Sequence, residues 1–148
     1  MDRVLTVEET LTLLAAAVRA RGADFVYRPV WIEEYKYLTC VYARDGAPHC
    51  LIGEVLYRAG VSIALLEQLG DDGVRELYFA GRLPLLMRFD AVVVLHQAQL
   101  GQNAAPGEEP VLAEAYEVAR DLGSTLPDRP RRRRPFVRET QPELSLVR

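Results

Sequence analysis

The stretch YKYLTCVYARDGAPHCLI, residues 35–52, carries the clearest hairpin pattern of the chain. Its first half, Tyr37–Tyr42, is rich in the aromatic and β-branched residues that favour strands. Asp45 and Gly46 follow, and this pair favours a tight turn because both residue types tolerate positive φ. Pro48–Ile52 then provides a short returning strand. The sequence therefore predicts an antiparallel hairpin within residues 35–52.

A helix is predicted before the hairpin. Thr6 and Glu9 have the spacing of a capping box, in which the hydroxyl and the carboxylate each accept a backbone N–H at the helix start. The residues that follow are apolar at helical spacing as far as Gly22, which ends the pattern. Next, Phe25–Tyr27 is strand-like and Pro29 removes a ladder donor, which predicts an edge strand or an extended segment. Such an edge can pair with a second copy of the chain, so a homodimer stays open.

Helical spacing returns after the hairpin. The most apolar window, Leu83–Leu100, is predicted as a buried helix that has Pro84 in its first turn. A loop is predicted from Gly101 to Gly107, and Pro110 opens a last helix. Shorter helices are predicted over 52–59, 63–69 and 74–79. Together these patterns predict a mainly helical α+β domain with an N-terminal helix, an antiparallel hairpin and about four further helices.

Charge divides the 148-residue chain into two parts. Residues 1–123 hold 11 basic and 18 acidic residues, a net charge of −7, whereas residues 124–148 hold 7 and 3, a net charge of +4. The first part has the apolar content of one globular domain. The second part contains four prolines and too few apolar residues for a core, which predicts a disordered arginine- and proline-rich tail.

Composition also bears on the compartment. No run of 18 or more apolar residues is present, and the N-terminal residues lack the apolar core of a signal peptide. We therefore expect a cytoplasmic protein that does not bind a membrane. Cys40 and Cys50 are too few to staple a domain of this size and are expected to be free thiols.

The two cysteines and two histidines of the chain raise the question of zinc, since two thiolates and two imidazoles make a tetrahedral site. The spacing argues against it, because adjacent residues of a strand point to opposite faces and no ligand pair comes from one tight turn. No glycine-rich turn or acidic residue accompanies the group for nucleophilic catalysis. No metal, cofactor or catalytic residue is therefore favoured. The weaker zinc candidates are Cys40, His49, Cys50 and His96.

Two sets of polar residues stand out within residues 1–123. An amide cluster near the end of the apolar window can hold a polar ligand or cap a helix, and capping is the commoner role. This candidate polar corner consists of Gln99, Gln102 and Asn103. Acidic pairs occur where helix starts or loops are predicted, and solvated capping is expected of them. The pairs are Glu8 and Glu9, Glu33 and Glu34, Asp71 and Asp72, and Glu108 and Glu109.

The tail contains a run of four arginines, whose positive charge attracts acidic partners. Such a run on a mobile segment binds RNA, DNA, an acidic protein or the chain's own acidic body, or it only keeps the domain soluble. Nucleic acid binding would add stacking of bases on Tyr35, Tyr37 and Tyr42. The candidate partner-binding residues are Arg131, Arg132, Arg133 and Arg134.

Five segments stand in a characteristic order, namely 25–27 (FVY), 40–42 (CVY), 46–53 (GAPHCLIG), 56–61 (LYRAGV) and 99–103 (QLGQN). Their order resembles a family of small uncharacterised proteins from actinobacteria and their phages, over about residues 7–122. Asn103 stands where that family has an acid, and Pro110 and Val111 stand where it has a tryptophan. The resemblance implies a soluble, mainly helical domain around a hairpin, and it implies no activity.

We therefore expect a non-enzymatic interaction or regulatory module with an acidic folded body and a mobile basic tail. A protein partner is favoured, since no catalytic group stands out and a charged arm has electrostatic reach. Two alternatives stay open. One is a nucleic-acid-binding protein that uses the arginine tail, and the other is a small-ligand or zinc-binding protein that uses the cysteines and histidines.

Overall fold

The computed structural model describes residues 4–22, 25–33, 36–39, 41–104 and 107–123. These residues are mainly helical, which confirms the predicted α+β class. The predicted tail, residues 124–148, lies outside the described residues. The helices are α1 (Val7–Arg21), α2 (Leu51–Arg58), α3 (Ile63–Glu67), α4 (Val74–Phe79), α5 (Phe89–Ala104) and α6 (Glu108–Asp121). The strands are β1 (Val4–Leu5), β2 (Val30–Ile32), β3 (Tyr37–Thr39), β4 (Ala43–Arg44), β5 (Ala47–Pro48) and β6 (Leu86–Met87).

The first helix begins and ends where the sequence predicts. Thr6 is its N-cap: the Thr6 Oγ1 accepts from the Glu9 N–H at 3.2 Å, and the Glu9 carboxylate accepts from the Thr6 N–H at 3.1 Å. The helix stops at Gly22, and its apolar face packs against α2, α5 and α6. The capping box therefore sets the start of α1, and the apolar stripe sets its packing.

The hairpin is shorter than predicted. Strands β4 and β5 pair antiparallel across Asp45 and Gly46, whose φ angles of +55° and +82° have the sign that a type I′ turn requires. The predicted strand Tyr37–Tyr42 does not form as one piece, because β3 pairs with β2 instead. The predicted returning strand is wrong beyond Pro48. Cys50 caps α2 there, since apolar side chains at helical spacing bury more surface as a helix.

The most apolar helix begins and ends later than predicted. It starts at Phe89, so Pro84 lies outside it, and the preceding strand β6 pairs in parallel with β1. It also continues through Gly101 to residue 104, where the sequence predicts a loop. A Cβ at Gly101 would lie 3.3 Å from the Val111 side chain, so α5 and α6 pack closely enough to hold these last residues as helix. Helix α6 likewise begins at Glu108, two residues before Pro110.

Helices α1, α2, α5 and α6 enclose the core, while α3 packs on α2 and on the hairpin, and α4 packs on α5. One contact fixes the hairpin against α2. A Cβ at Gly53 would lie 1.9 Å from the Tyr42 carbonyl oxygen, so only glycine allows α2 to lie directly on this backbone. As a result, residues 41 and 42 stand beside α4 and α5 and form one wall of a cleft.

Across the described residues, no helix combines the length and the apolar character that crossing a membrane requires.

Candidate functional site

A cleft of about 1020 Å³ opens between α4, α5 and the segments that precede α2 and α4. Its volume is at the upper end of the range for small-ligand sites. Helix α4 contributes Arg75, Glu76 and Phe79 to the walls, and α5 contributes His96 and Gln99. The cleft therefore combines charged, aromatic and amide side chains within one concave surface.

Gln99 and Tyr42 form the polar base of the cleft. The buried Gln99 Oε1 accepts from the Val74 N–H at 2.8 Å, and Gln99 Nε2 donates to the Tyr42 hydroxyl at 2.9 Å. That hydroxyl donates in turn to the Asp72 carbonyl oxygen at 2.7 Å. Since Val74 opens α4, a side chain of α5 satisfies the start of α4 and holds it against the segment that precedes α2.

Gln102 does the same for α2. Its buried Oε1 accepts from the Leu51 N–H at 2.7 Å, and its Nε2 lies 3.4 Å from the Asn103 Oδ1. Leu51 is the first residue of α2, so two glutamines of one helix cap the starts of two others. Of the polar corner predicted from sequence, Gln99 and Gln102 thus act as helix caps. Asn103 is exposed and lines the cleft.

His96 lines the cleft with unused hydrogen-bonding capacity. Its Nδ1 is buried and has no hydrogen-bond partner among the described residues. Burial lowers the pKa of His96 below its ordinary value, the Arg75 cation lowers it further, and Glu76 opposes both. The imidazole is therefore neutral at pH 7, with one donor and one acceptor nitrogen and no positive charge.

The charged side chains make the cleft acidic. Asp71, Asp72 and Glu76 face a single lining cation, Arg75, which gives the lining residues a formal net charge of −2. Asp72 pairs with Arg82 at 2.8 Å, outside the lining set. Glu76 Oε1 also accepts from the N–H of residue 73 at 2.7 Å, which holds this carboxylate at the start of α4.

An apolar lip borders these charges. Phe79 is 64% exposed and Leu100 is 50% exposed, although both line the cleft. The Arg75 guanidinium carbon lies 5.7 Å from the centre of the Phe79 ring, in a cation–π contact. This ring therefore already accepts a guanidinium group, and exposed apolar side chains beside a cleft are typical of interaction sites.

The cysteine and histidine candidates are distributed over two places. Cys50 and His96 both line the cleft, and the buried Cys50 Sγ accepts from the Gly53 N–H at 3.3 Å as the cap of α2. His49 lies elsewhere, with Nε2 3.1 Å from the Arg28 carbonyl oxygen. Cys40 lies outside the described residues. Within the described part of the chain, no three His, Cys, Asp or Glu residues come together to hold a metal ion.

A second charged group, absent from the sequence-based predictions, lies where α1, α2 and α6 meet. Arg21 donates to the His49 carbonyl oxygen at 3.0 Å and pairs with Glu54 at 3.5 Å. The same guanidinium lies 3.8 Å from the Glu108 carboxylate. No spacing in the sequence links these residues, because they come from three helices that only the tertiary fold brings together.

The prediction that Glu108 is a solvated capping residue is wrong. Only 2% of its surface is exposed, and neither carboxylate oxygen has a hydrogen-bond partner among the described residues. Burial raises its pKa to about 7, although Arg21 opposes that rise. Helix α6 packs against α1 and brings Glu108 to Arg21 at the end of α1, and this packing buries a side chain that an isolated helix would expose.

One feature of the nucleic-acid alternative also has a structural outcome. Tyr42 is only 3% exposed and its hydroxyl is bonded within the fold, so it cannot stack on a base. Tyr35 and the arginine run Arg131–Arg134 lie outside the described residues, and nothing is described of the Tyr37 side chain.

Comparisons of the chain with protein-family models, with curated proteins and with solved structures give no match. The resemblance to small actinobacterial and phage proteins therefore stays a prediction.

Proposed function

We propose that this protein is a non-enzymatic interaction module whose cleft holds an arginine-rich segment of a protein partner. One observation carries the proposal: three carboxylates face one cation in a cleft that opens beside an exposed phenylalanine. The three carboxylates are those of Asp71, Asp72 and Glu76.

Arginine fits this cleft for two chemical reasons. Its guanidinium group donates up to five hydrogen bonds, which carboxylates accept, and its planar face stacks on aromatic rings. The cleft offers both kinds of contact, and Arg75 over Phe79 is an example of the second within the fold. The neutral His96 imidazole adds an acceptor without repelling a cation.

Binding accounts for the cleft better than catalysis does. A general base in an active site is usually oriented by a second side chain. In the part of the chain that the structure describes, His96 makes no hydrogen bond or ion pair that would orient it. Gln99, which also lines the cleft, accepts from the Val74 N–H and so fixes the start of α4 in the wall of the cleft.

The test measures binding of a fluorescein-labelled tetra-arginine peptide by fluorescence anisotropy, in about 50 mM salt so that screening is weak. A full-length neutral-tail variant, in which serine replaces all four arginines of Arg131–Arg134, makes the peptide the only arginine run present. In this background we measure one cleft variant that carries both substitutions, Asp71→Asn and Glu76→Gln. Both amides keep an acceptor oxygen, so the bond from Glu76 to the start of α4 is retained.

We expect the cleft variant to bind the peptide about tenfold more weakly, on the order of 0.7 kcal/mol for each exposed charge removed. The matched control is Glu114→Gln with Glu117→Gln, which removes the same charge from exposed positions of α6 outside the cleft. Its affinity should change by less than about twofold. Equal losses in the two variants, or no peptide binding at all, would contradict the proposal.

A second candidate function, nucleic acid binding, is favoured by the four consecutive arginines of the tail. It differs from the first in the part of the molecule used. A labelled single-stranded RNA should then bind the wild-type chain with a steep salt dependence and lose its affinity in the neutral-tail variant. RNA binding that survives in the neutral-tail variant, or no RNA binding at low salt, would exclude this function for the tail.

A further inference from the structure

The last described residue, Gly123, follows α6, which packs against α5, the helix that contributes His96 and Gln99 to the cleft. Helices α5 and α6 are joined by three residues, so they run antiparallel. Gly101 of α5 lies opposite Val111 and Glu114 of α6. Counting back from that contact, the end of α6 is level with about residue 92 of α5. His96 in the cleft is only about 6 Å farther along the α5 axis, at 1.5 Å per residue.

The segment that follows is long enough to enter the cleft. Seven residues, 124–130, separate Gly123 from Arg131. Their fully extended length is about 23 Å. The path requires about 6 Å along the axis and a turn around α5, because Gly101, which faces α6, lies about 140° around the helix from His96. Half the circumference of a helix 10–12 Å across is about 16–19 Å. The start of the arginine run therefore reaches the cleft with a largely extended chain, and Arg134, three residues farther along, has about 10 Å of further reach.

Charge makes this run a fitting occupant. Residues 124–148 carry a net charge of +4, and the residues that line the cleft carry −2. The run is flanked by Pro130 and Pro135, which favour an extended backbone and lower the entropy lost when a segment settles in a groove.

We infer that Arg131–Arg134 occupy the cleft of their own chain and compete there with the arginine-rich segment of a partner. This inference rests on the proposed function, because it assigns an occupant to the same cleft. It gives the chain an intramolecular competitor: a partner must displace the run before it can bind. Residues 124–130 act as the tether, whose length sets the effective concentration of the run.

The test compares wild-type chain with the neutral-tail variant, using the same labelled tetra-arginine peptide. A tethered run at an effective concentration of about 1 mM and an affinity of about 0.1 mM weakens a free competitor by about tenfold. We therefore expect the neutral-tail variant to bind the peptide about tenfold more tightly than the wild type. The matched control is Arg138→Ser with Arg148→Ser, which removes tail charge outside the run and should change the affinity less than about twofold.

A second measurement locates the run. Amide and side-chain NMR signals of the wild type and the neutral-tail variant should differ at Asp71, Glu76, His96 and Gln99, and not along α6. The differences should not depend on protein concentration, because the contact lies within one chain.

Each outcome separates the inference from the proposed function. Equal peptide affinity in the wild type and the neutral-tail variant overturns the inference and leaves the proposed function standing. Differences that grow with protein concentration also overturn it, since the run then enters the cleft of a second copy. Peptide binding to neither protein overturns both proposals.

Discussion

Glu108 and His96 are the two described side chains that bury polar atoms without a hydrogen-bond partner, and they lie in contrasting places. In both, burial favours the neutral form: it raises the pKa of Glu108 to about 7 and lowers the pKa of His96. Glu108 is enclosed where α1, α2 and α6 meet, with 2% of its surface exposed. His96 lines an open cleft.

The difference shows how one physical effect leads to two consequences. A buried carboxyl that no ligand can reach affects only the stability of the fold. Its ionised form has lost its hydration and therefore destabilises the folded state. A desolvated imidazole beside a cleft keeps its hydrogen-bonding capacity for a molecule that enters. The junction around Glu108 therefore affects stability, whereas the cleft is the place where we propose that a partner binds.

The largest effect is expected from Gly53→Ala, which disturbs both the junction around Glu108 and the cleft. The added Cβ would lie 1.9 Å from the Tyr42 carbonyl oxygen, a backbone atom that cannot move without shifting the wall of the cleft. We expect a loss of more than about 4 kcal/mol in the free energy of unfolding, or no folded protein. Urea unfolding followed by circular dichroism measures this loss.

Gly101→Ala is the matched control for that substitution. Its Cβ would lie 3.1 Å from the Glu114 Oε1 and 3.3 Å from the Val111 Cγ2, both ends of side chains. Alanine also gains about 1 kcal/mol of helix propensity over glycine. The change in stability should therefore stay within about 1 kcal/mol. A loss at Gly53 no larger than the loss at Gly101 would show that α2 does not lie on the Tyr42 backbone.

Glu108→Gln tests how the buried carboxyl affects stability. The pKa of about 7 lies above the ordinary value of 4.5, so the folded state holds the proton more tightly than the unfolded state does. The contribution of Glu108 to stability is therefore greatest below about pH 4.5, falls as the pH rises toward 7, and stays low above it. Glutamine removes this dependence, and at pH 8 the variant should be more stable by on the order of 3 kcal/mol.

Urea titrations at pH 5 and pH 8 measure that difference. The advantage of the glutamine variant should be small at pH 5 and grow toward pH 8. Glu117→Gln, an exposed position on the same helix, serves as control and should show no such trend. An advantage for the glutamine variant that is constant with pH would mean that Glu108 does not titrate in this range.

The smallest effect concerns the cleft and leaves stability almost unchanged. Arg75→Gln removes a cation beside His96, so the pKa of His96 should rise. Glu76→Gln removes the opposing carboxylate, so the pKa of His96 should fall further. NMR titration of the imidazole Cε1–H signal measures both. Shifts in the same direction in the two variants would place one of these charges away from the ring.

Local signals in the sequence located most of the helices. The capping box at Thr6, the cap at Ser62 and the helical pattern of residues 74–79 each depend on residues within one or two turns, and the structure has α1, α3 and α4 there. The turn at Asp45 and Gly46 is local in the same sense. The predicted strand beyond Pro48 is wrong because burial of one face of α2 outweighs strand propensity over so few residues.

The candidate site was harder to predict because its parts come from distant segments. Capping is the commoner role of such an amide cluster, and the two glutamines do cap helices. Their partners, Leu51 and Val74, are 51 and 25 residues away, so no spacing could name them. No sequence motif predicts the acidic cleft or the burial of Glu108, since a charged residue at a helix start has the same pattern whether it is solvated or enclosed.

Three properties follow from the amino-acid sequence alone: the mainly helical class, the difference in charge between residues 1–123 and residues 124–148, and the helix starts that have their own caps. These depend on composition and on contacts a few residues apart. Packing between the helices, in contrast, sets which polar groups are buried, extends α5 to residue 104, and brings Asp71, Glu76 and His96 into one cleft. The reason is that burial and charge proximity arise between helices, where packing sets the cost of each polar group.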